Sequence, residues 1–144
     1  MEYNFEKLKK ADSNLSISDF NIKKVIGTGS FGKVVLATKK DQESDVFAIK
    51  MIKKKDMIKR NKIDQTRIEK KLMENLDHPF ILELKYAFQD ERKLYLITQF
   101  CPGGELYYHI SKVGYFNEPA LCFYACQVIL ALEYLHNSKI VYKE

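Results

Sequence analysis

The chain has 144 residues, 46% hydrophobic and 30% charged, with a formal net charge of +5. That composition is ordinary for a soluble globular protein and sufficient for one domain, or part of a larger one, with a core of its own. Three cysteines (Cys101, Cys122 and Cys126) without a C-x-x-C pairing argue against a disulfide scaffold and against a metal site.

No signal-peptide apolar region opens the chain, and Glu2 stands where N-myristoylation needs glycine. The longest apolar run, Phe123 to Leu135, is too short to span a bilayer. No membrane span is expected, and the expected location is cytoplasmic or nuclear. Charge is unevenly spread: between Lys50 and Lys71 ten Lys or Arg face three acids, leaving the remainder slightly acidic.

In chain order, residues 1–19 are polar and read as an extension. Phe20, Ile22, Val25 and Ile26 form a first strand leading into glycines, and Val34 to Thr38 leaves them as a second. After the polar turn 39–45, Val46 to Ile52 is a third strand. Lys53 to Asn61 reads as a basic connector. A helix is expected from Lys62 to Leu76, with Ile68, Leu72, Met73 and Leu76 as its buried stripe. His78-Pro79 stops it. Ile81 to Phe88 and Leu94 to Phe100 flank a turn as two further strands. Glu105 to Lys112 is a short helix. Asn117-Glu118-Pro119 supplies an N-cap and a first-turn proline for a long helix to His136. Five strands with one inserted helix, then helices only, make an α+β arrangement.

The stretch Ile26-Gly27-Thr28-Gly29-Ser30-Phe31-Gly32-Lys33-Val34 carries the chemistry. Its glycines leave backbone N–H groups bare, so phosphate oxygens can approach. A dinucleotide fold would need a helix directly afterwards, yet a β-branched strand follows. Gly27 to Lys33 also fits G-x-x-x-x-G-K, but Val34 stands where a hydroxyl should reach Mg²⁺. The remaining candidate is the strand–loop–strand of protein kinases, which requires a lysine on the third strand. Phe47-Ala48-Ile49-Lys50 supplies one. A buried lysine needs an anion beside it, and Glu69, on the inserted helix, has the right position and sign. Arg67 and Lys70 are its competing surface partners.

With these motifs, Leu76-Asp77-His78-Pro79-Phe80-Ile81, Cys101-Pro102-Gly103-Gly104-Glu105-Leu106 and Glu133-Tyr134-Leu135-His136, residues 20 to about 141 resemble a protein kinase domain of the AGC group of serine/threonine kinases. The resemblance implies a kinase-like N-lobe at 20–100, five antiparallel strands plus one helix. A hinge at 101–104 and the first helices of a truncated C-lobe at 105–144 would follow.

It further implies ATP as cofactor. Lys50 would contact the phosphates and Glu69 would fix it, under the lid Gly27, Thr28, Gly29, Ser30, Phe31 and Gly32. Ile26, Val34 and Ala48 would sandwich the adenine. Thr98 would guard the pocket behind it, Gln99 and Cys101 would offer backbone groups to its edge, and Glu105 would reach the ribose or a basic substrate residue. Met73, Leu84 and Tyr142 match members of a hydrophobic column.

The family continues with Tyr-Arg-Asp-Leu-Lys-Pro-Glu-Asn, whereas this sequence reads Tyr142-Lys143-Glu144. Glu144 thus takes the position of the catalytic base, and the Mg²⁺ ligands expected of the family are absent from these residues. The expectation is an ATP-binding portion, inactive by itself, whose partner is a protein substrate or another kinase. The apolar face of the helix 117–136 would need a covering partner. A non-catalytic, pseudokinase-like regulator is the alternative. Nucleic-acid or anionic-membrane binding through Lys53-Lys54-Lys55, Lys59-Arg60 and Lys62 is disfavoured, since such runs are usually solvated.

Overall fold

Five segments rich in β-branched and aromatic residues form one antiparallel sheet in the computed structural model, which describes residues 15–29 and 32–141. The strands are β1 (Phe20–Gly29), β2 (Gly32–Lys39), β3 (Gln42–Lys53), β4 (Leu84–Gln89) and β5 (Lys93–Gln99), in spatial order β1-β2-β3-β5-β4. Between β3 and β4 lie helices α1 (Lys54–Lys59) and α2 (Ile63–Asn75), and α3 (Leu106–Val113) and α4 (Glu118–Asn137) follow β5. The chain divides into two units, one running to Leu76 and resuming at Glu83–Phe100, the other comprising Asp77–Leu82 and the chain from Cys101.

The period-two alternation of β3 and β5 loads both faces of the sheet. One face carries Phe20, Phe47, Phe88 and Tyr95 around Val35, Ala37, Ile49, Met51 and Ile97. Phe20 stacks on Phe88 at 6.0 Å and meets Phe47 edge-on at 6.1 Å. Leu15 and Ile17 pack against this cluster, so the part of the 1–19 extension described here lies on the sheet. The other face buries Ile52, Leu84, Ala87, Leu94 and Leu96 against Met57 of α1 and Ile63 of α2. Each fully buried aliphatic side chain contributes about 1.5–3 kcal/mol.

Three features differ from the sequence reading. The basic connector contains the helix α1, because Met57 is fully buried and a helical turn lets it reach the sheet while the surrounding lysines stay solvated. The buried stripe of α2 is Ile63, Thr66 and Lys70, with Met73 partly buried, whereas Ile68 is 58% exposed. Lys70 occupies the inner face at 2% exposure because its aliphatic stem packs and its ammonium is bonded to Glu74, one turn on, at 2.7 Å. Finally, β4 begins at Leu84, and Ile81 and Leu82 belong with the second unit.

In the second unit, α3 stops at Gly114, whose φ of +81° suits glycine and whose amide bonds to the Ile110 carbonyl at 2.8 Å. The expected cap of α4 is present: the Asn117 side chain accepts from the Ala120 amide at 3.0 Å, with Pro119 in the first turn. The Asp77 amide donates to the Tyr134 hydroxyl at 3.1 Å, and the His78 ring stacks on Tyr134 at 5.0 Å. Leu121, Phe123, Val128, Ile129 and Leu132 of α4 are exposed. With its full 20 residues, α4 is long and apolar enough to cross a membrane by length and composition, which the shorter run Phe123–Leu135 did not suggest. Core helices of soluble proteins meet the same criterion.

Candidate functional site

The centre of β3 organises the site. Lys50 is opposite Val34 on β2 and Leu96 on β5; Ala48 is opposite Leu36 and Thr98. Because side chains on opposed residues share a face, Val34, Ala48, Lys50 and Thr98 stand on the side of the sheet that α1 and α2 cover. Ile26 falls in the irregularity between Val25 and Gly27 on β1.

Lys50 Nζ donates to Glu69 Oε1 at 2.6 Å. The rival pairings for Glu69 are taken elsewhere: Arg67 bonds Asp64 at 3.4 Å and Lys70 bonds Glu74. Lys50 is not a buried lysine, however; the two side chains are 46% and 41% exposed, so desolvation does not demand the pair. What the pair does is fix the direction of an accessible ammonium. An ammonium has three donors and this bond uses one, leaving capacity for a second anion.

The three glycines do different work. A Cβ on Gly32 would lie 1.8 Å from the Met51 carbonyl oxygen, so close approach of β2 to β3 requires glycine there. A Cβ on Gly27 would make ordinary contact with Val34 at 3.7 Å, and one on Gly29 would meet nothing within 4 Å. Thr28 is exposed opposite Lys33. Ser30, Phe31, Tyr142 and Glu144 lie outside the described residues.

Thr98 is buried, and its hydroxyl donates to the Ala48 carbonyl at 3.4 Å. Gln99 ends β5, exposed; Cys101 and Glu105 are exposed members of the second unit. Leu84 is fully buried with Met73 packed against its cluster.

A brace at the β4–β5 turn was not foreseen. Asp90 accepts from the Arg92 amide at 2.7 Å, the Lys93 amide at 2.6 Å and the Tyr95 hydroxyl at 2.7 Å. Burial alone would raise the Asp90 carboxyl, but these donors hold it below its ordinary value. Burial and then the neighbouring Asp90 push the Tyr95 phenol up. Lys54 ties α1 to the same turn, its Nζ donating to the Asp90 carbonyl at 2.6 Å and its amide to the Arg92 carbonyl at 3.0 Å. Burial lowers the Lys54 ammonium, against the opposing charges of Asp90 and Glu91. Asp90 as the first residue of a turn was the available signal.

Residues 20–144 match the protein kinase domain family. The chain belongs to that family. It is 42% identical over 139 residues to Protein kinase 3 of Dictyostelium discoideum, covering 96% of this chain and 15% of the relative. A RAC family serine/threonine-protein kinase homolog of the same organism is 38% identical over 96% of this chain and 31% of its own length. Human RAC-beta serine/threonine-protein kinase is 35% identical over 95% of this chain and 28% of its own length. These relatives are serine/threonine kinases of the AGC type, and this kinase chain spans less than a third of their length. The five-stranded sheet with its helices corresponds to a kinase N-lobe, and α3 and α4 to the start of a C-lobe.

Proposed function

We propose that these residues form the ATP-binding part of an AGC-type serine/threonine protein kinase. The observation that carries the reading is the Lys50–Glu69 pair at 2.6 Å. A half-exposed ammonium, held in one direction and with donors to spare, suits triphosphate oxygens. Val34 and Ala48, on the face that bears Lys50, would contact the adenine together with Ile26. Thr98, with its hydroxyl turned to the Ala48 carbonyl, would leave the pocket behind the base open. A backbone group of Gln99 would bond the base. The lid would be Gly27 to Gly32. ATP supplies the transferable phosphoryl group; the chain's own residues bind and orient it.

Transfer to protein Ser or Thr hydroxyls is proposed for the complete kinase domain. For residues 1–144 the proposal is confined to nucleotide holding, since Glu144 stands at the base position. The exposed α4 face favours a second reading beside it, a regulator that pairs with another kinase through that helix. A cytoplasmic setting is proposed with both, supported by three free, exposed cysteines.

Equilibrium titration with a fluorescent ATP analogue tests the first reading. Saturable binding displaced by ATP is expected, weakened at least tenfold in Lys50→Met. Equal affinity in the wild type and that variant would remove Lys50 from the site.

A further inference from the structure

Helix α4 packs along one stripe and leaves two thiols on its other side. The partly buried stripe runs through Ala120, Tyr124, Gln127, Ala131 and Tyr134, spaced three and four residues apart. Phe116 stacks on Tyr124 at 5.1 Å and His78 on Tyr134 at 5.0 Å, so this is the packed side of the helix. At about 100° per residue, Cys122 and Cys126 lie roughly 120–160° round the helix from it. Both are free and exposed.

Being four residues apart in an α-helix, the two share a face on successive turns, with their Cβ atoms about 5–6 Å apart. A disulfide wants about 3.5–4.5 Å. A direct S–S bond would therefore distort α4, whereas one atom inserted between the sulfurs lets the helix keep its geometry.

The number of donors sets the chemistry of that atom. A structural zinc ion takes four ligands and a catalytic one three with water. Among the described residues no group of three or more His, Cys, Asp or Glu side chains comes together, so Cys101 is not a third donor. Two thiols alone suit a soft acceptor with two exchangeable positions. Trivalent arsenic carrying one carbon substituent is such an acceptor, whereas arsenite, with three exchangeable positions, calls for a third thiol. Pyramidal arsenic also draws its two sulfurs to one side, as side chains rising from one helix face approach it. A linear two-coordinate cation would need them on opposite sides.

We propose that Cys122 and Cys126 form a dithiol site that captures a monosubstituted trivalent arsenical, RAs(OH)2. Two S–H and two As–O bonds break, two As–S bonds form, and the hydroxyls leave as two waters. Arsenic stays trivalent, so the step consumes no oxidant or reductant.

Titration of the reduced full chain with phenylarsonous acid, followed by intact mass and a free-thiol assay, tests this. One arsenical per chain is expected, with free thiols falling from three to one. A dithiol such as 2,3-dimercaptopropanol should remove it, and the same concentration of a monothiol should not. Cys122→Ser and Cys126→Ser each keep two thiols, yet should bind at least about 10²-fold more weakly because the second As–S bond is no longer intramolecular. Cys101→Ser should bind as the wild type does. Thermal melting gives a second readout: the arsenical should raise the melting temperature of the wild type and of Cys101→Ser and leave the other two variants unchanged. Loss of only one thiol per arsenical, dimers joined through arsenic, affinity in Cys122→Ser or Cys126→Ser within tenfold of the wild type, or weakened binding in Cys101→Ser overturns the proposal. No nucleotide enters the titration, so its outcome is independent of the ATP reading.

Discussion

Glu69→Ala separates the two things an ion pair can do. In the structure the pair is short, 2.6 Å, but both partners are just under half exposed. Solvent therefore screens most of its Coulomb energy, and pairs of this kind contribute about 0.2–1 kcal/mol to stability. For a sheet unit of this size that corresponds to a melting shift below about 8 °C. The effect on nucleotide should be larger. Without Glu69 the Lys50 side chain regains its rotamers, and fixing them again on ATP would cost about 1.5–2 kcal/mol, or roughly 10- to 30-fold in affinity. Thermal denaturation and ATP titration on the same preparation read both quantities. A tighter complex in Glu69→Ala would show that the carboxylate merely competes with ATP for the ammonium. Loss of the folded state would show that the pair is a structural tie. Either result refutes the positioning argument.

Gly32→Ala should destabilise by about 1–3 kcal/mol or more in urea unfolding, because its Cβ would overlap the Met51 carbonyl, whereas Gly29→Ala, facing open space, should cost less than about 1 kcal/mol. Met57→Ala should cost about 2–5 kcal/mol by emptying a fully buried site, while Ile68→Ala should stay within about 0.5 kcal/mol, the reverse of what the sequence stripe implied. Asp90 is held below its ordinary pKa of 3.8, so its contribution is present above that value and is lost as pH falls through the lower folded value. Asp90→Asn should therefore lower the melting temperature at pH 7 and flatten its decline below pH 4; an unchanged acid limb would discount the brace.

The five antiparallel strands and the Lys50–Glu69 partnership were legible because each rests on a local rule: β-rich runs separated by turn signals, and a cation on a strand requiring an anion on the inserted helix. The pairing was anticipated for the wrong reason, since Lys50 is half exposed. The stripe of α2 was misread because hydrophobic periodicity assumes that lysines face water. Lys70 breaks that assumption by folding its stem inward and taking its counter-ion, Glu74, along the same helix. Helix α1 was hidden for the converse reason: one buried methionine among lysines gives no periodic signal. The role of Gly32 was illegible, because what excludes a side chain there is a carbonyl from another strand, 19 residues away in sequence.

These departures bear on the site itself. Only Ile63, and Met73 in part, join α2 to the cluster under the sheet. The other inner positions are Thr66, whose hydroxyl bonds back to the Lys62 carbonyl at 3.0 Å, and Lys70, satisfied within the helix. Both polar groups are thus cancelled internally and add little grip on the sheet. A helix attached by so little apolar area opens more easily than the strands it covers. The Lys50–Glu69 bond is a further, solvent-screened link between α2 and β3, and an anion that engages Lys50 would act on the residue that bonds the helix. If ATP engages Lys50 as proposed, nucleotide binding and α2 placement would be coupled through one ammonium group, which makes Glu69 the position at which the two can be measured apart.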